Sequence, residues 1–361
     1  MASGSSVAER LVGMIEIVAG EPVPVRIRAW DGSEAGPPQS PVVTIRTRRA
    51  LRRMLWRTDE LGLARAYVAG GLDLEGDLVE TLSELSRVGE EIGRRPHLSL
   101  SAKARLVGTA IRLGIIGPAP KPPPEEIVLH GAKHSKMRDL VAVSHHYDLG
   151  NDFYRHVLGE SLVYSCAYWR APDDPSYRLD DAQRDKVDLV CRKLRLQPGM
   201  RVLDVGCGWG SFALHAAREY NVEVVGITLS HEQMELARKR VEEANLQEQV
   251  EIRLQDWRDL DDRPFDAIAS IGMAEHVGRE RFGEYASSLF ARLMPGGRLL
   301  NHQIARYPGP EITQRTFVDA SVFPDGALLP IAGVVDALEH AGFEVRDVHA
   351  LREHYSRTLR A

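Results

Sequence analysis

Cysteine is scarce in this chain. Cys166, Cys191 and Cys207 are the three among 361 residues, and no two stand in CxxC spacing. That excludes a disulfide framework and fits a reducing compartment. Long apolar runs are lacking too: nothing approaches the roughly 20 consecutive residues of a membrane-spanning helix. Residues 1–20 have no basic stretch followed by an apolar core, so no secretory leader is expected. An excess of positive charge is also missing. Lys and Arg number 46 against 51 Asp and Glu, a net charge of −5, so no global field draws the chain to nucleic acid or anionic lipid. The expectation is a cytoplasmic protein, either soluble or peripheral at the inner membrane face. What is present is 43% apolar content, which at this length can bury a large core in two domains.

The order of signals along the chain sketches those domains. Residues 1–20 read as a short amphipathic helix. Val23–Trp30 alternates, Asp31-Gly32 marks a turn, and Val42–Thr47 reads as the returning or next strand. Helices follow at Arg48–Leu55 and around Val79–Val88, giving a small α+β domain over residues 1–117. Within it, Leu98–Ile116 is amphipathic and basic, with Lys103, Arg105 and Arg112 among Leu106, Val107, Ile111 and Leu113. Two readings stand there: a solvated helix packed on its neighbour, or a membrane-surface contact combining apolar area with cations. A Pro-rich and basic linker is expected over 118–140, stiffened by Pro118–Pro124. Residues 141–361 then alternate strand and helix. Strands are expected at Arg201–Val205, Val222–Thr228, Val250–Gln255, Phe265–Ile271 and Gly297–Ile304, with a sixth at Glu344–His349. That is a doubly wound α/β fold of Rossmann-like class.

The most informative residues are Arg201–Gly210, RVLDVGCGWG. An apolar run ends in Asp204 and Val205, and Gly206, Gly208 and Gly210 then open a helix at Ser211–Tyr220. Glycines at that spacing allow a tight turn and let a nucleotide-like ligand approach the backbone. A dinucleotide fold would show GxGxxG and an acidic residue closing the second strand. Here the loop is GCGWG, and the second strand ends in Gly226-Ile227-Thr228-Leu229-Ser230 without a carboxylate. Asp256-Trp257 follows the third strand, a carboxylate and a flat ring suited to adenine. The pattern favours S-adenosylmethionine over NAD, with Gln233 or Glu232 covering the ribose.

Segments outside the loop carry a more specific signal: HYDLGND (146–152), YSCAYW (164–169), GITLSHEQ (226–233), SIGMAEHVG (270–278) and HYSRTL (354–359). Over residues 140–361 the chain resembles the cyclopropane-fatty-acid synthase family, including the mycolic acid cyclopropane synthases. The resemblance implies a class I methyltransferase that transfers a methyl(ene) group from S-adenosylmethionine to the double bond of an unsaturated acyl chain in a phospholipid. It further implies a bicarbonate ion as general base, held by Cys166, Glu275, His302, Tyr355 and the amide of Ile304. Cofactor contacts carried over in the same way are Tyr164, Ser165, Gly206, Gly208, Thr228, Leu229, Gln233 and Trp257, with Tyr147 and Asp148 closing over the cofactor or serving structure. No metal enters this reading.

Two departures from the family pattern stand out. Ala274 replaces the usual Phe before Glu-His, which is expected to enlarge or reshape the acyl cavity. FPDGALLP (323–330) varies FPGGxLPS and loses its serine. The product is accordingly a cyclopropane or a methylene-branched chain, the latter a substrate for a partner reductase; a homodimer is also entertained. The family continues past HYxxTL, whereas this chain stops at Ala361, which leaves two readings: a C-terminal tail beyond the given residues, or a sheet without its last hairpin and an acyl tunnel without one wall. Alternatives in other classes are an O- or N-methyltransferase of small molecules and a non-catalytic cofactor- and lipid-binding subunit.

Overall fold

The computed structural model describes residues 5–93, 98–147, 150–309 and 315–361. The chain divides into two compact units, Met1–Ile127 with Gln314–Ser321 and Val128–Thr313 with Val322–Ala361.

In the first unit, helix Val7–Ala19 starts at a capping box, where Ser6 and Glu9 satisfy each other's backbone N–H groups, and stops at Gly20 in the left-handed region. A mixed four-stranded sheet follows, in the order Glu34–Ala35, Arg26–Arg28, Val42–Ile45, Leu72–Glu75. The turn at Asp31-Gly32 does return a strand, the two-residue Glu34–Ala35, while Val42–Ile45 runs parallel to Arg26–Arg28. Val25, Ile27, Val43, Ile45 and Leu72 from the sheet region meet Ala8 and Leu11 of the first helix and Ala110 and Leu113 of helix Leu100–Leu113 in one core. The basic amphipathic stretch is therefore a helix with a buried edge of Ala102, Ala110 and Leu113. Its opposite edge leaves Leu100, Val107 and Ile111 exposed, with Leu100 at 86%.

The second unit is built on five parallel strands: β1 (Arg201–Val205), β2 (Glu223–Thr228), β3 (Val250–Leu254), β4 (Phe265–Ile271) and β5 (Leu293–His302). Their spatial order is β3-β2-β1-β4-β5, with every neighbouring pair parallel. Alternate residues serve two cores. Val202, Val224, Val250, Ala267 and Ala269 pack under Phe212 and Ala213, while Leu203, Val205, Val225, Ile227 and Ile268 pack under Trp257, Tyr285 and Leu289. Burial on both faces is why these strands read as continuous apolar runs. The strand order reverses between β1 and β4, and a crevice at the carboxyl ends of strands opens at such a point.

Two strand expectations need correction. The fifth strand begins at Leu293 rather than Gly297, because Pro295-Gly296-Gly297 does not end it. The ladder is instead irregular there: Phe265 pairs with Leu293 and Ala267 with Arg298, so the extra residues bulge outward. The expected sixth strand at Glu344–His349 is not formed, since residues 343–350 have no ladder among the described residues. Alternation alone does not make a strand; its N–H and C=O groups need a neighbour.

Candidate active site

The chain leaves β1 through Gly206 (φ 75°), Gly208 (φ 56°) and Gly210 (φ 79°) before entering helix Ser211–Tyr220. All three lie in the left-handed region, where a side chain adds strain. The amides of Gly206 and Cys207 both donate to the carbonyl of Ile227, at 3.0 and 2.9 Å, which pins the loop to β2. Gly226 must be small for the same reason. A Cβ there would stand 2.9 Å from Ile252 and 3.0 Å from Cys207.

Above this loop lies a cleft of about 930 Å³, counting its open mouth. All eight sequence-expected cofactor residues line it: Tyr164, Ser165, Gly206, Gly208, Thr228, Leu229, Gln233 and Trp257. The chain fits a nucleotide-like cofactor here on two further observations. A Cβ on Gly208 would meet nothing within 4 Å, so backbone is open to a ligand, and the buried Oδ2 of Asp204 has no hydrogen-bond partner. The ribose candidates separate. Gln233 is buried at the cleft and accepts from the Thr228 hydroxyl at 2.7 Å, whereas Glu232 accepts from Asn151 at 3.1 Å and does not line the cleft. Of Asp256-Trp257, Trp257 lines the cleft, but Asp256 caps a short 3-10 turn and is engaged by the Arg258 guanidinium at 2.5 and 2.7 Å.

An aromatic wall closes the upstream side. Trp209 of the glycine loop donates from Nε1 to Asn151 at 2.8 Å and packs against Tyr147 and Tyr154. Tyr154 in turn donates to the carbonyl of His146, whose ring stacks on Tyr164 at 5.6 Å. Tyr147 thus lines the cleft as part of a packed cluster; Asp148 lies outside the described residues. Burial pushes the His146 imidazole down to about 4, with His276 and His145 adding to the effect, so the ring is neutral.

The residues expected to hold the anion lie next to this cleft rather than in its lining. Glu275 sits on the helical turn Ala274–Val277 that follows β4. Its Oε1 accepts from the amide of Ile304 at 2.8 Å, so that donor faces a carboxylate, and its buried Oε2 has no partner. Burial raises the Glu275 carboxyl, against the lowering effect of the Ile304 amide. His302 ends β5, beside Ile271, and its carbonyl accepts from Gly272 at 2.9 Å. Its buried Nδ1 is also without a partner, and burial followed by the nearby Lys186 charge lowers the ring to about 4. The buried Cys166 directs Sγ toward the carbonyl of Leu351 at 3.6 Å, at the start of helix Arg352–Thr358, which carries Tyr355. Burial lifts the Cys166 thiol to about 11, so it is protonated. Tyr355 is raised by burial and by Cys166, Tyr164 and Glu275 nearby.

Sequence reasoning missed several cleft residues: Lys186, Gln255, Met273 and His276. Lys186 had a legible signal. Helix Leu179–Leu194 buries Ala182, Gln183, Lys186, Val187, Val190, Cys191 and Leu194, so a lysine and a glutamine stand inside its apolar stripe. The two departures also find physical places. Ala274 does not line the cleft but is fully buried in the core with Trp257, Phe282 and Tyr285. Asp325 of FPDGALLP takes φ 63° and is clamped by Arg138 at 2.5 and 2.9 Å.

Comparison with known proteins identifies the family of the chain. The family profile described as "Mycolic acid cyclopropane synthetase" matches residues 134–361. The Pseudomonas putida protein named "Probable fatty acid methyltransferase" is 39% identical over 343 residues, 93% of this chain and 79% of that one. The Escherichia coli K12 cyclopropane-fatty-acyl-phospholipid synthase is 40% identical over 227 residues, 63% of this chain and 56% of that one. Among solved structures, the mycolic acid cyclopropane synthase CmaA1 complexed with SAH and CTAB superposes with a TM-score of 0.57 at 37% identity, covering 61% of this chain and 80% of that one. The cyclopropane synthase MmaA2 of Mycobacterium tuberculosis gives the same TM-score, 0.57, at 34% identity, with coverage of 61% and 80%. A matched profile across the catalytic unit, relatives along nearly the whole chain and a glycine loop of the right geometry lead to one assignment: the chain belongs to the mycolic acid cyclopropane synthetase family and is an S-adenosylmethionine-dependent methyltransferase.

Proposed function

We propose that this enzyme transfers a methyl(ene) group to the double bond of an unsaturated acyl chain within a phospholipid, with bicarbonate as general base. The observation that carries the reading is the pair of buried, unpartnered polar atoms beside the cleft, Glu275 Oε2 and His302 Nδ1, with Cys166 close to the helix of Tyr355. Buried polar groups left without partners are costly, so such a cluster fits a small polar ligand. Bound cofactor supplies an electrophilic sulfonium methyl, and bound bicarbonate a base for the proton that methylated alkene must lose. The chain's own residues supply the rest. Neutral His302 and Tyr355 can each donate to an anion, protonated Cys166 adds a weak donor, and Glu275 accepts the remaining proton of bicarbonate. The amide of Ile304 fixes the Glu275 rotamer. The packed rings of Tyr147 and Trp209 supply an apolar side to the cleft, which limits water there.

Access to a lipid substrate fits helix Leu100–Leu113. Leu100, Val107 and Ile111 form an exposed apolar line flanked by exposed Lys103, Arg105 and Arg112, the composition of a peripheral membrane contact. No helix among the described residues is long and apolar enough to cross a membrane. The test is incubation with monounsaturated phospholipid vesicles and methyl-labelled cofactor, followed by fragmentation of the product chain. A gain of one CH₂ at the former double bond is expected, with turnover rising on added bicarbonate. No mass gain refutes the acyl substrate, and bicarbonate-independent turnover refutes the base. The fragments distinguish a cyclopropane from a methylene branch that a reductase would complete.

A further inference from the structure

Helix Leu179–Leu194 sends two polar side chains from its buried stripe to one short segment, Val163–Ser165. Gln183 donates from Nε2 to the carbonyls of Ser165 (2.9 Å) and Val163 (3.3 Å), which fixes the backbone. Lys186 donates from Nζ to the Ser165 hydroxyl oxygen at 2.9 Å. An ammonium has no acceptor capacity, so Ser165 Oγ is the acceptor in this bond and its own proton is left to donate elsewhere. Ser165, Lys186 and Asp204 all line the cleft. Lys186 and Asp204 are each 2% exposed, and Asp204 Oδ2 is unpartnered. A buried ammonium with spare donors, a hydroxyl polarised by it and a buried carboxylate with a free oxygen together suit a zwitterion rather than a neutral ligand.

We propose that Lys186 is a positioning residue that, acting through the Ser165 hydroxyl, makes the cleft select a cofactor with a free carboxylate at its amino-acid end. This rests on reading the cleft as the S-adenosylmethionine site. Burial lowers the Lys186 ammonium and raises the Asp204 carboxyl, while each partly offsets the other's shift. The lysine thus contributes its field at the Ser165 end of the cleft.

The test compares calorimetric binding of S-adenosylmethionine and of its decarboxylated analogue, which keeps the adenosine and the sulfonium. The wild-type chain is expected to prefer the carboxylated ligand by roughly tenfold or more, the scale of one hydrogen bond to a charged group. Lys186→Met should weaken S-adenosylmethionine and leave the analogue nearly unchanged, bringing the preference below about threefold. Ser165→Ala should do the same without disturbing the buried charge pair, and decides the matter if Lys186→Met fails to fold. Equal weakening of both ligands by Lys186→Met would make the lysine merely structural and overturn the proposal. So would full preference retained in Ser165→Ala. A wild-type chain binding neither ligand would overturn the reading of the cleft itself.

Discussion

Glu275→Gln isolates proton handling from packing. Glu275 Oε1 takes the Ile304 amide at 2.8 Å, and the amide oxygen of glutamine can keep that bond in the same rotamer. What changes is Oε2, which becomes an NH₂ donor unable to take up a proton from bicarbonate. Loss of a positioned acid–base group costs roughly 10²–10⁴-fold in turnover. Cofactor affinity should stay within about twofold, because Glu275 does not line the cleft and glutamine keeps its size and its bond to the Ile304 amide. Stability should not fall. Burial raises the Glu275 carboxyl in the folded state, so the native protein holds that proton more tightly than the unfolded chain and loses stability as pH rises through the raised value. Glutamine removes that loss, and Tm at pH 7.5 should match or exceed wild type. The assays are initial rates on monounsaturated phospholipid vesicles across a bicarbonate series, calorimetric cofactor binding, and thermal melts. Turnover within about threefold of wild type, with Tm preserved, would remove Glu275 from the proton path.

Other expectations follow from single contacts. Gly226→Val places its Cβ 2.9 Å from Ile252 and 3.0 Å from Cys207, so the glycine loop must shift; cofactor binding should drop below detection by calorimetry while the circular dichroism of the fold persists. Trp209→Phe keeps the ring but loses the 2.8 Å bond to Asn151 and should cost about 1–2 kcal/mol, read as a lower midpoint in urea together with weaker cofactor binding. His146, His276 and His302 are each held near 4 by burial, below the unfolded value. The unfolded chain therefore binds more protons between pH 6.5 and 4, and stability should fall steadily as pH drops through that window. Melts from pH 7.5 to 4.5 check this, and His276→Gln should flatten the slope; a pH-independent Tm would contradict it.

Legibility in the sequence followed the range of the interactions. The β1–glycine loop–helix unit could be read directly, because an apolar run, three glycines and a helix start are all local consequences of backbone sterics. The same local reasoning placed the edges of β5 wrongly, since Pro295-Gly296-Gly297 looks like a stop unless the neighbouring strand is known to tolerate a bulge. Glu344–His349 has a strand's alternation and no strand beside it among the described residues. Asp256 looked like a ligand group until its guanidinium partner was visible two residues away in the folded turn.

The sequence by itself determined the class of fold and, through GCGWG with a carboxylate-free β2 end, the class of cofactor. The family resemblance, carried over motif by motif, implied the eight residues that line one cleft. Tertiary structure decided how those groups are charged and aimed. Ile304 reaches back 29 residues to fix Glu275, Lys186 lies 21 residues from the Ser165 it polarises, and Ala274 packs into the core with Trp257, Phe282 and Tyr285. The reason is dielectric as much as geometric. A histidine, lysine or carboxyl keeps its ordinary protonation in an unfolded chain, and only burial among specific neighbours changes what it can donate or accept.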